Sequence, residues 1–251
     1  SMTRKENLLI EICRMNNRIA ALRGDEQIDV EQYSYSVRFY REAKESKENE
    51  LKKRLENLDR FYERAVEEKR FSDARVAYYA TPEGAAHKAR LEKSIEKKIA
   101  EMDDLNRLTI EAIENSLRRL LGAYWGVKWL DKGYLKLGVI DAAKSTSEQR
   151  EFFFGQYIDV RYDERPFLKN DKECFECNIG TCGGFDMRGS ATVGERAMFY
   201  ADAGKLLGDT QTIEWLRIAM RNYNRTSEQF CNEISALHRE LNDPFAREKA
   251  R

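Results

Sequence analysis

The residues best suited to chemistry are three cysteines in one short segment, Cys174, Cys177 and Cys182. Two thiols in a C-x2-C arrangement can bind a tetrahedral zinc ion from a tight turn, and the third thiol is close enough in sequence to join them. A fourth ligand is missing from the segment, so one residue of the last predicted helix, Cys231 or His238, is the candidate to complete the set. The segment therefore indicates a structural zinc site as one hypothesis.

Other interpretations of this segment stay open. A redox-active pair needs its C-x-x-C at the start of a helix, whereas strand-like residues continue through this one. Thiols that pack in a small sheet, with a disulfide formed on exposure to air, are the simplest interpretation. The glycines within 180–184 resemble a phosphate loop but lack a following Gly-Lys-Ser/Thr and helix, so they predict a tight turn between strands. A small zinc-dependent or nucleotide-handling enzyme, centred between Cys174 and Asp186, is the alternative function.

The rest of the chain offers little catalytic material. Only two histidines are present, His87 and His238, and they lie far apart in the sequence. Abundant carboxylates at helical spacing predict solvated faces and ion pairs, and nothing singles out two of them as an acid and a base. We therefore predict that the protein is not an enzyme and holds no cofactor beyond the hypothetical zinc.

Composition limits the classes of partner. Charged residues make up 35% of the 251 residues, against roughly 25% in an average globular protein. Lys and Arg number 44 and Asp and Glu number 44, so no basic excess would attract nucleic acid phosphates. Because no long apolar stretch and no signal peptide is present, neither membrane insertion nor secretion is indicated. The sequence predicts a cytoplasmic protein that contacts neither nucleic acid nor membrane directly.

The N-terminal half predicts long helices. A first helix runs from about residue 3 to 23 and ends at Gly24, a second runs over 30–70, and a third runs over 82–121 after the start signal Thr81-Pro82-Glu83. The interval 41–50 is polar on every side, so the second helix must project into solvent. The second and third helices are predicted to form an antiparallel hairpin, a projecting arm, within a helical domain of residues 1–121.

The C-terminal half predicts a different class of structure. Alternating or apolar runs at 134–140, 151–162 and 174–179 predict the strands of a small antiparallel sheet. A capping box formed by Thr192 and Glu195 opens a helix, and a last helix follows over 212–241. We therefore predict an α+β fold, mainly α, in which residues 122–251 form an α+β module closed by the C-terminal helix.

The last helix carries a strict heptad pattern, which is typical of a coiled-coil seam, although the same stripe can pack on the sheet. The narrowness of the stripe favours a second helix, and we predict that it belongs to another copy of the chain, so that the protein is a homo-oligomer. The predicted interface residues are Leu216, Met220, Tyr223, Phe230, Ile234, Leu237 and Leu241.

Aromatic residues beside the sheet are a further candidate for protein binding. Aromatic side chains in loops are typical of interface hot spots, although most of these residues must form the core. The set comprises Tyr124, Trp125, Trp129, Tyr134, Phe152, Phe153 and Phe154.

One family resembles this chain as a whole. The long charged helical arm up to Leu121, the aromatic and glycine-rich module containing KECFECNIGTCGGFD, and the closing heptad helix resemble the phage-encoded anti-defence proteins that inhibit the bacterial Gabija complex. The resemblance lies in the architecture and transfers no functional residues. It implies a non-enzymatic, oligomeric inhibitor that acts in the host cytoplasm, wraps the host nuclease complex and blocks its access to DNA.

The predicted function is therefore an oligomeric protein-binding protein that acts by occlusion. Its expected partners are further copies of itself and a host protein complex such as a defence nuclease. A structural component of a virion or of a host scaffold is a third interpretation, because such proteins also use long arms.

Overall fold

A computed structural model describes residues 1–34, 36–140, 149–164, 173–183, 187–188 and 192–246. Within these residues the chain forms seven helices and one four-stranded antiparallel sheet, which confirms the α+β, mainly α fold class. The chain divides into two compact units. Unit 1 comprises residues 1–90 with the C-terminal residues from 242 onward, and unit 2 comprises residues 91–241.

Unit 1 begins with helix α1, Arg4–Arg23, whose two ends are set by local chemistry. The hydroxyl of Thr3 accepts a hydrogen bond from the backbone N–H of Glu6, and the Glu6 carboxylate accepts one from the backbone N–H of Thr3. Gly24 ends the helix with φ of 75°, a left-handed conformation that glycine adopts without strain. The predicted end at Gly24 is confirmed.

The prediction of one continuous helix over 30–70 is wrong. The chain instead forms α2 (Val30–Ser34), α3 (Val37–Glu45) and α4 (Glu48–Ala80). The hydroxyl of Ser36 accepts a hydrogen bond from the backbone N–H of Phe39 and so caps α3. Serine side chains satisfy backbone groups outside a helix, and the polar interval 41–50 has few apolar contacts to hold one continuous helix together.

The neighbour of α4 in unit 1 is α1, and the two helices run parallel. Arg4 pairs with Glu48 at 3.1 Å near the start of both helices, and Arg23 pairs with Glu68 at 3.6 Å further along both. The short helices α2 and α3 make the return connection that a parallel pair requires. The apolar core of this unit consists of Leu9, Ile10, Ile12, Phe39, Ala43 and Leu51.

Helix α5, Pro82–Leu121, begins where the sequence predicts. The hydroxyl of Thr81 accepts a hydrogen bond from the backbone N–H of Gly84 at 3.0 Å, and Pro82 occupies the first helical position. At the other end Gly122 has φ of 119°, a value that strongly favours glycine, and the helix stops there.

Unit 2 contains the sheet, whose strands β1 to β4 are neighbours in chain order. They are β1 (Trp125–Asp131), β2 (Tyr134–Val139), β3 (Gln156–Asp163) and β4 (Cys174–Thr181). The three predicted strands are present, although β3 begins at Gln156 rather than at residue 151, and β1 was not predicted. A bulge between Val127 and Trp129 interrupts the alternation of inward and outward side chains in β1, which hides the period of two from a sequence pattern.

One face of the sheet packs against α5, α6 (Val193–Gly208) and α7 (Thr210–Asn242). Polar contacts fix each helix to the sheet. Glu114 of α5 accepts a hydrogen bond from the backbone N–H of Val127, Asp202 of α6 accepts one from the Trp125 indole N–H, and Asn224 of α7 accepts one from the backbone N–H of Gly133. The fully buried core side chains include Ile113, Leu117, Val127, Leu135, Leu137, Ile158, Val160, Phe199, Ala203, Leu206 and Met220.

The antiparallel pair of long helices is α5 with α7. The Asn106 side-chain N–H donates to the Tyr223 hydroxyl at 3.1 Å. About two helical turns toward the N-terminus of α5, Lys98 pairs with Glu233 of α7 at 2.9 Å. Residue numbers therefore fall along α5 as they rise along α7. The contacts of this antiparallel pair lie within unit 2, and the predicted hairpin of the helices over 30–70 and 82–121 stays a prediction.

Candidate functional site

The three cysteines proposed as zinc ligands do not converge. Cys174 and Cys177 both lie in β4, and side chains three residues apart in an extended strand point to opposite faces. Cys177 pairs in register with the core residue Val160, whereas Cys182 lies beyond the strand and its thiol donates to the Phe154 carbonyl oxygen at 3.6 Å. The described residues contain no group of His, Cys, Asp and Glu that could hold a metal ion. This arrangement corrects the predicted ligand set.

The chemistry of Cys177 also differs from that of a metal ligand or nucleophile. Burial, with a smaller contribution from the negative charge of Asp159, raises the pKa of the Cys177 thiol to about 11. The thiolate is the form that binds metals and attacks electrophiles, and at neutral pH this thiol stays protonated. No disulfide joins any of the five cysteines, all of which lie within the described residues. Residues 184–186 of the alternative enzyme site lie outside the described part of the chain.

The heptad seam of α7 is divided between two environments. Leu216, Met220 and Tyr223 are buried in the core of unit 2 within a single chain, so they offer no surface to a second copy. This burial corrects their prediction as oligomer interface residues. The remaining predicted residues, Phe230, Ile234, Leu237 and Leu241, are half-buried.

The outer part of that seam also meets its own chain. The ammonium of Lys98, on α5, lies 5.6 Å from the centre of the Phe230 ring and pairs with Glu233. This contact turns the Phe230 side of α7 toward α5. The second helix that the narrow seam predicts is therefore supplied, at least at this level, by α5 of the same chain.

Exposed apolar side chains are concentrated on α6. Val193 is 86% exposed, Tyr200 49% and Leu207 36%, and their seven-residue spacing places them in one row along the helix. The opposite side of α6 carries core residues such as Phe199 and Leu206, which are fully buried. Helix α6 is therefore apolar both where it meets the core and where it meets solvent.

A row of small residues lies beside this apolar row. Its members recur at steps of three and four, and all are exposed: Gly194, Ala197, Ala201, Gly204 and Gly208. The two rows together form a smooth surface about 22 Å long, at 1.5 Å per residue. We call these two rows the α6 face.

Two cations border the α6 face. Arg196 and Lys205 are separated by about two and a half helical turns, so they point to opposite sides of the helix, with the face between them. Both are exposed, and neither side chain has an ion pair or hydrogen bond with the described residues. The carboxylates nearby are occupied: Glu195 accepts from the backbone N–H of Thr192 at 2.7 Å, and Asp202 accepts from the Trp125 indole.

A pocket of about 470 Å³ adjoins α6, and Met198 of α6 contributes to its wall. The Tyr124 and Phe153 rings meet edge to face at 6.3 Å, and the Arg188 guanidinium lies 5.5 Å from the Phe153 ring centre. The described lining residues are mainly apolar and aromatic, and none of them is a histidine, cysteine, serine or lysine. Its aromatic residues Tyr124, Trp125, Phe153 and Phe154 belong to the set predicted from the sequence.

The α6 face was not predicted, although the helix and its capping box were. A hydrophobic pattern identifies a helix by contrast between an apolar and a polar side, and α6 is apolar on both. The available signal was compositional: three glycines lie within a helix of 16 residues.

Comparisons with known proteins do not add an identity. No family model, no curated protein and no solved structure matches the chain. Among the described residues, every helix is too short or too polar to span a bilayer.

Proposed function

We propose that this chain is a non-enzymatic protein-binding protein and that its contact surface is the α6 face with the adjoining aromatic pocket. The observation that carries the proposal is the exposure of Val193, Tyr200 and Leu207 in one row. Contiguous exposed apolar surface is uncommon outside interaction sites. Burying a fully exposed apolar side chain is worth roughly 1.5–3 kcal/mol. A partner would gain most of this at Val193 and a smaller part at Tyr200 and Leu207, which are already half or more covered.

The proposed mode of action is occlusion. A protein that holds its partner through an apolar face and an aromatic pocket blocks that partner by occupying space, without bond chemistry. The architectural resemblance makes the bacterial Gabija complex the first partner to test, with blocked access to DNA as the expected consequence. Self-association stays a separate prediction, which the mass of the parent chain in solution tests.

The test is binding of the purified chain to reconstituted Gabija complex, measured by light scattering together with the DNA cleavage activity of the complex. We expect the parent chain to bind and to inhibit cleavage. We expect Tyr200→Asp combined with Leu207→Asp to weaken both effects at least tenfold, because two charges would enter an apolar contact. Its melting temperature should fall by only a few degrees, since neither side chain belongs to the buried core.

The matched control carries the same substitutions elsewhere in unit 2. Ile99 and Leu108 are exposed apolar residues of α5, and Ile99→Asp combined with Leu108→Asp should leave binding unchanged. Equal losses in the two double variants would contradict the assignment of the α6 face. An absence of binding by the parent would reject Gabija as the partner.

A further inference from the structure

We propose that the segment that binds the α6 face is an amphipathic helix of another protein, with an apolar seam bordered on both sides by Asp or Glu. The proposal rests on the proposed protein-binding function and names the chemistry of the partner. It is carried by the shape of the face, by its glycines and by the two cations at its borders.

The shape of the face fits a helix. Its small residues recur at steps of three and four, which is the period at which a second helix presents its side chains in coiled-coil packing. Glycine and alanine at these positions remove side-chain bulk, and the distance between two packed helices depends on the side chains at their contact. A partner helix can therefore approach the α6 backbone closely, with its larger side chains over the small row.

The glycines have no explanation within the described chain. A Cβ atom added at Gly194, Gly204 or Gly208 would meet nothing within 4 Å, so neither a close approach nor a turn requires glycine there. None of the three has a positive φ. Gly204 lies in the interior of α6, where glycine is less favourable than alanine, whereas Gly194 and Gly208 lie in the end turns. A smooth surface for an external helix supplies the missing reason.

The two cations at the borders of the face favour a partner with negative charge at the matching positions. Arg196 and Lys205 border the face on opposite sides without a side-chain partner among the described residues, so a helix lying between them meets one positive charge at each edge. Carboxylates at the borders of the partner's apolar seam would pair with both. Pairs of this kind set orientation and selectivity more than total affinity.

A second copy of α6 fits less well. Antiparallel pairing about the middle of the face would place Arg196 of both copies along one border and Lys205 of both along the other, with no carboxylate on either border, and such like-charge juxtaposition is unfavourable. Anionic membrane surface is also a poorer match. Helices that lie on membranes carry many basic residues with bulky apolar ones, whereas this face has two cations and a row of glycine and alanine.

The experiment uses the full chain and two synthetic three-heptad peptides with leucine at positions a and d. One peptide carries glutamate at positions e and g, and the other carries lysine there. Fluorescence anisotropy should show that the glutamate peptide binds about tenfold more tightly than the lysine peptide at low salt. The preference should shrink in high salt, because the pairs are exposed. Arg196→Glu combined with Lys205→Glu should reverse the preference.

A second variant tests the close approach. Gly204→Leu places a large side chain on the small row without touching the cations, and we expect it to weaken binding of the glutamate peptide at least tenfold in a protein that melts like the parent. The matched control is Leu108→Asp on α5, which should bind the peptide like the parent.

The outcomes separate this inference from the proposed function. Equal binding of the two peptides, or no binding of the glutamate peptide, overturns the acidic helix even where Tyr200→Asp with Leu207→Asp still abolishes binding of a protein partner. Loss of that protein binding in the Ile99 and Leu108 control as well overturns the proposed function itself. Vesicles containing phosphatidylserine form the third arm, and tighter binding to them than to the glutamate peptide assigns the face to membranes and overturns the proposal.

Discussion

Helices α6 and α7 each carry a row of apolar residues, and the two rows differ in what covers them. Helix α7 has a strict heptad stripe, and the part from Leu216 to Tyr223 is buried against its own sheet and helices. Helix α6 has no such stripe in its hydrophobic pattern, yet it leaves Val193, Tyr200 and Leu207 in solvent. The periodicity of a helix identifies the residues that share a face, but it does not identify what covers that face.

The difference follows from what surrounds each helix in unit 2. Asn106 of α5 and the sheet lie beside α7, so its stripe finds partners in the same chain. On α6 one side is enough to close the core, through Phe199, Ala203 and Leu206. The other side lies outside that core, and its apolar side chains stay partly or largely exposed.

The largest expected effect separates the two helices by charge insertion. Met220→Asp on α7 puts a carboxylate into a fully buried position, and we expect it to lower the free energy of unfolding by about 3–5 kcal/mol. Tyr200→Asp on α6 should change it by less than about 1 kcal/mol, because the side chain is half exposed. Urea unfolding of the two variants checks the contrast, and similar losses would mean that α6 is covered in solution.

The outer half of α7 tests which chain covers the seam. Phe230→Asp with Ile234→Asp should lower the free energy of unfolding by about 2–4 kcal/mol, because these half-buried residues lie on the side of α7 that faces α5. Light scattering should give the parent a mass above the 29.4 kDa of one chain, and the double variant the same mass. A folded variant of lower mass would return this seam to the oligomer interface.

A smaller effect is expected from pH, through a contact that holds α7 and that α6 lacks. The Tyr162 hydroxyl donates to Glu173 at 2.6 Å, and Arg217 of α7 also pairs with it; together they hold the pKa of Glu173 below its usual range. A lowered folded pKa adds stability that is complete above the unfolded value, near 4.3, and is lost as pH falls through the folded value. Urea midpoints of Glu173→Gln should therefore fall less than those of the parent between neutral and acid pH.

The smallest expected effect is a gain in stability on the α6 face. Gly204→Ala should raise the free energy of unfolding by about 0.5–1 kcal/mol, because alanine is the better helix former and its Cβ enters open space. The same substitution at Gly138 is the matched control. There a Cβ would lie 2.4 Å from the Phe152 ring, so Gly138→Ala should destabilise the protein. Thermal unfolding that shows the same sign at both positions would contradict the open surface at Gly204.

Some features of this protein were determined by the sequence alone, because they depend on groups within one helical turn. The end of α1 at Gly24, the start of α5 after Thr81 and the capping box of Thr192 with Glu195 are of this kind. The strands β2 to β4 follow from alternation along a few residues. In each case the deciding hydrogen bond or side-chain direction is local, so a pattern in the chain is enough to predict it.

The tertiary structure decided everything that depends on the choice between distant partners. Local pattern did not determine the pairing of α1 with α4 or of α5 with α7. It also did not reveal β1, because the bulge after Val127 interrupts the alternation of that strand. The same holds for the opposite faces of Cys174 and Cys177, whose spacing suits a zinc turn until the sheet makes it a strand. Burial depends on contacts with residues that are remote in the sequence. The outer side of α6 stays exposed because the described parts of the chain leave it uncovered.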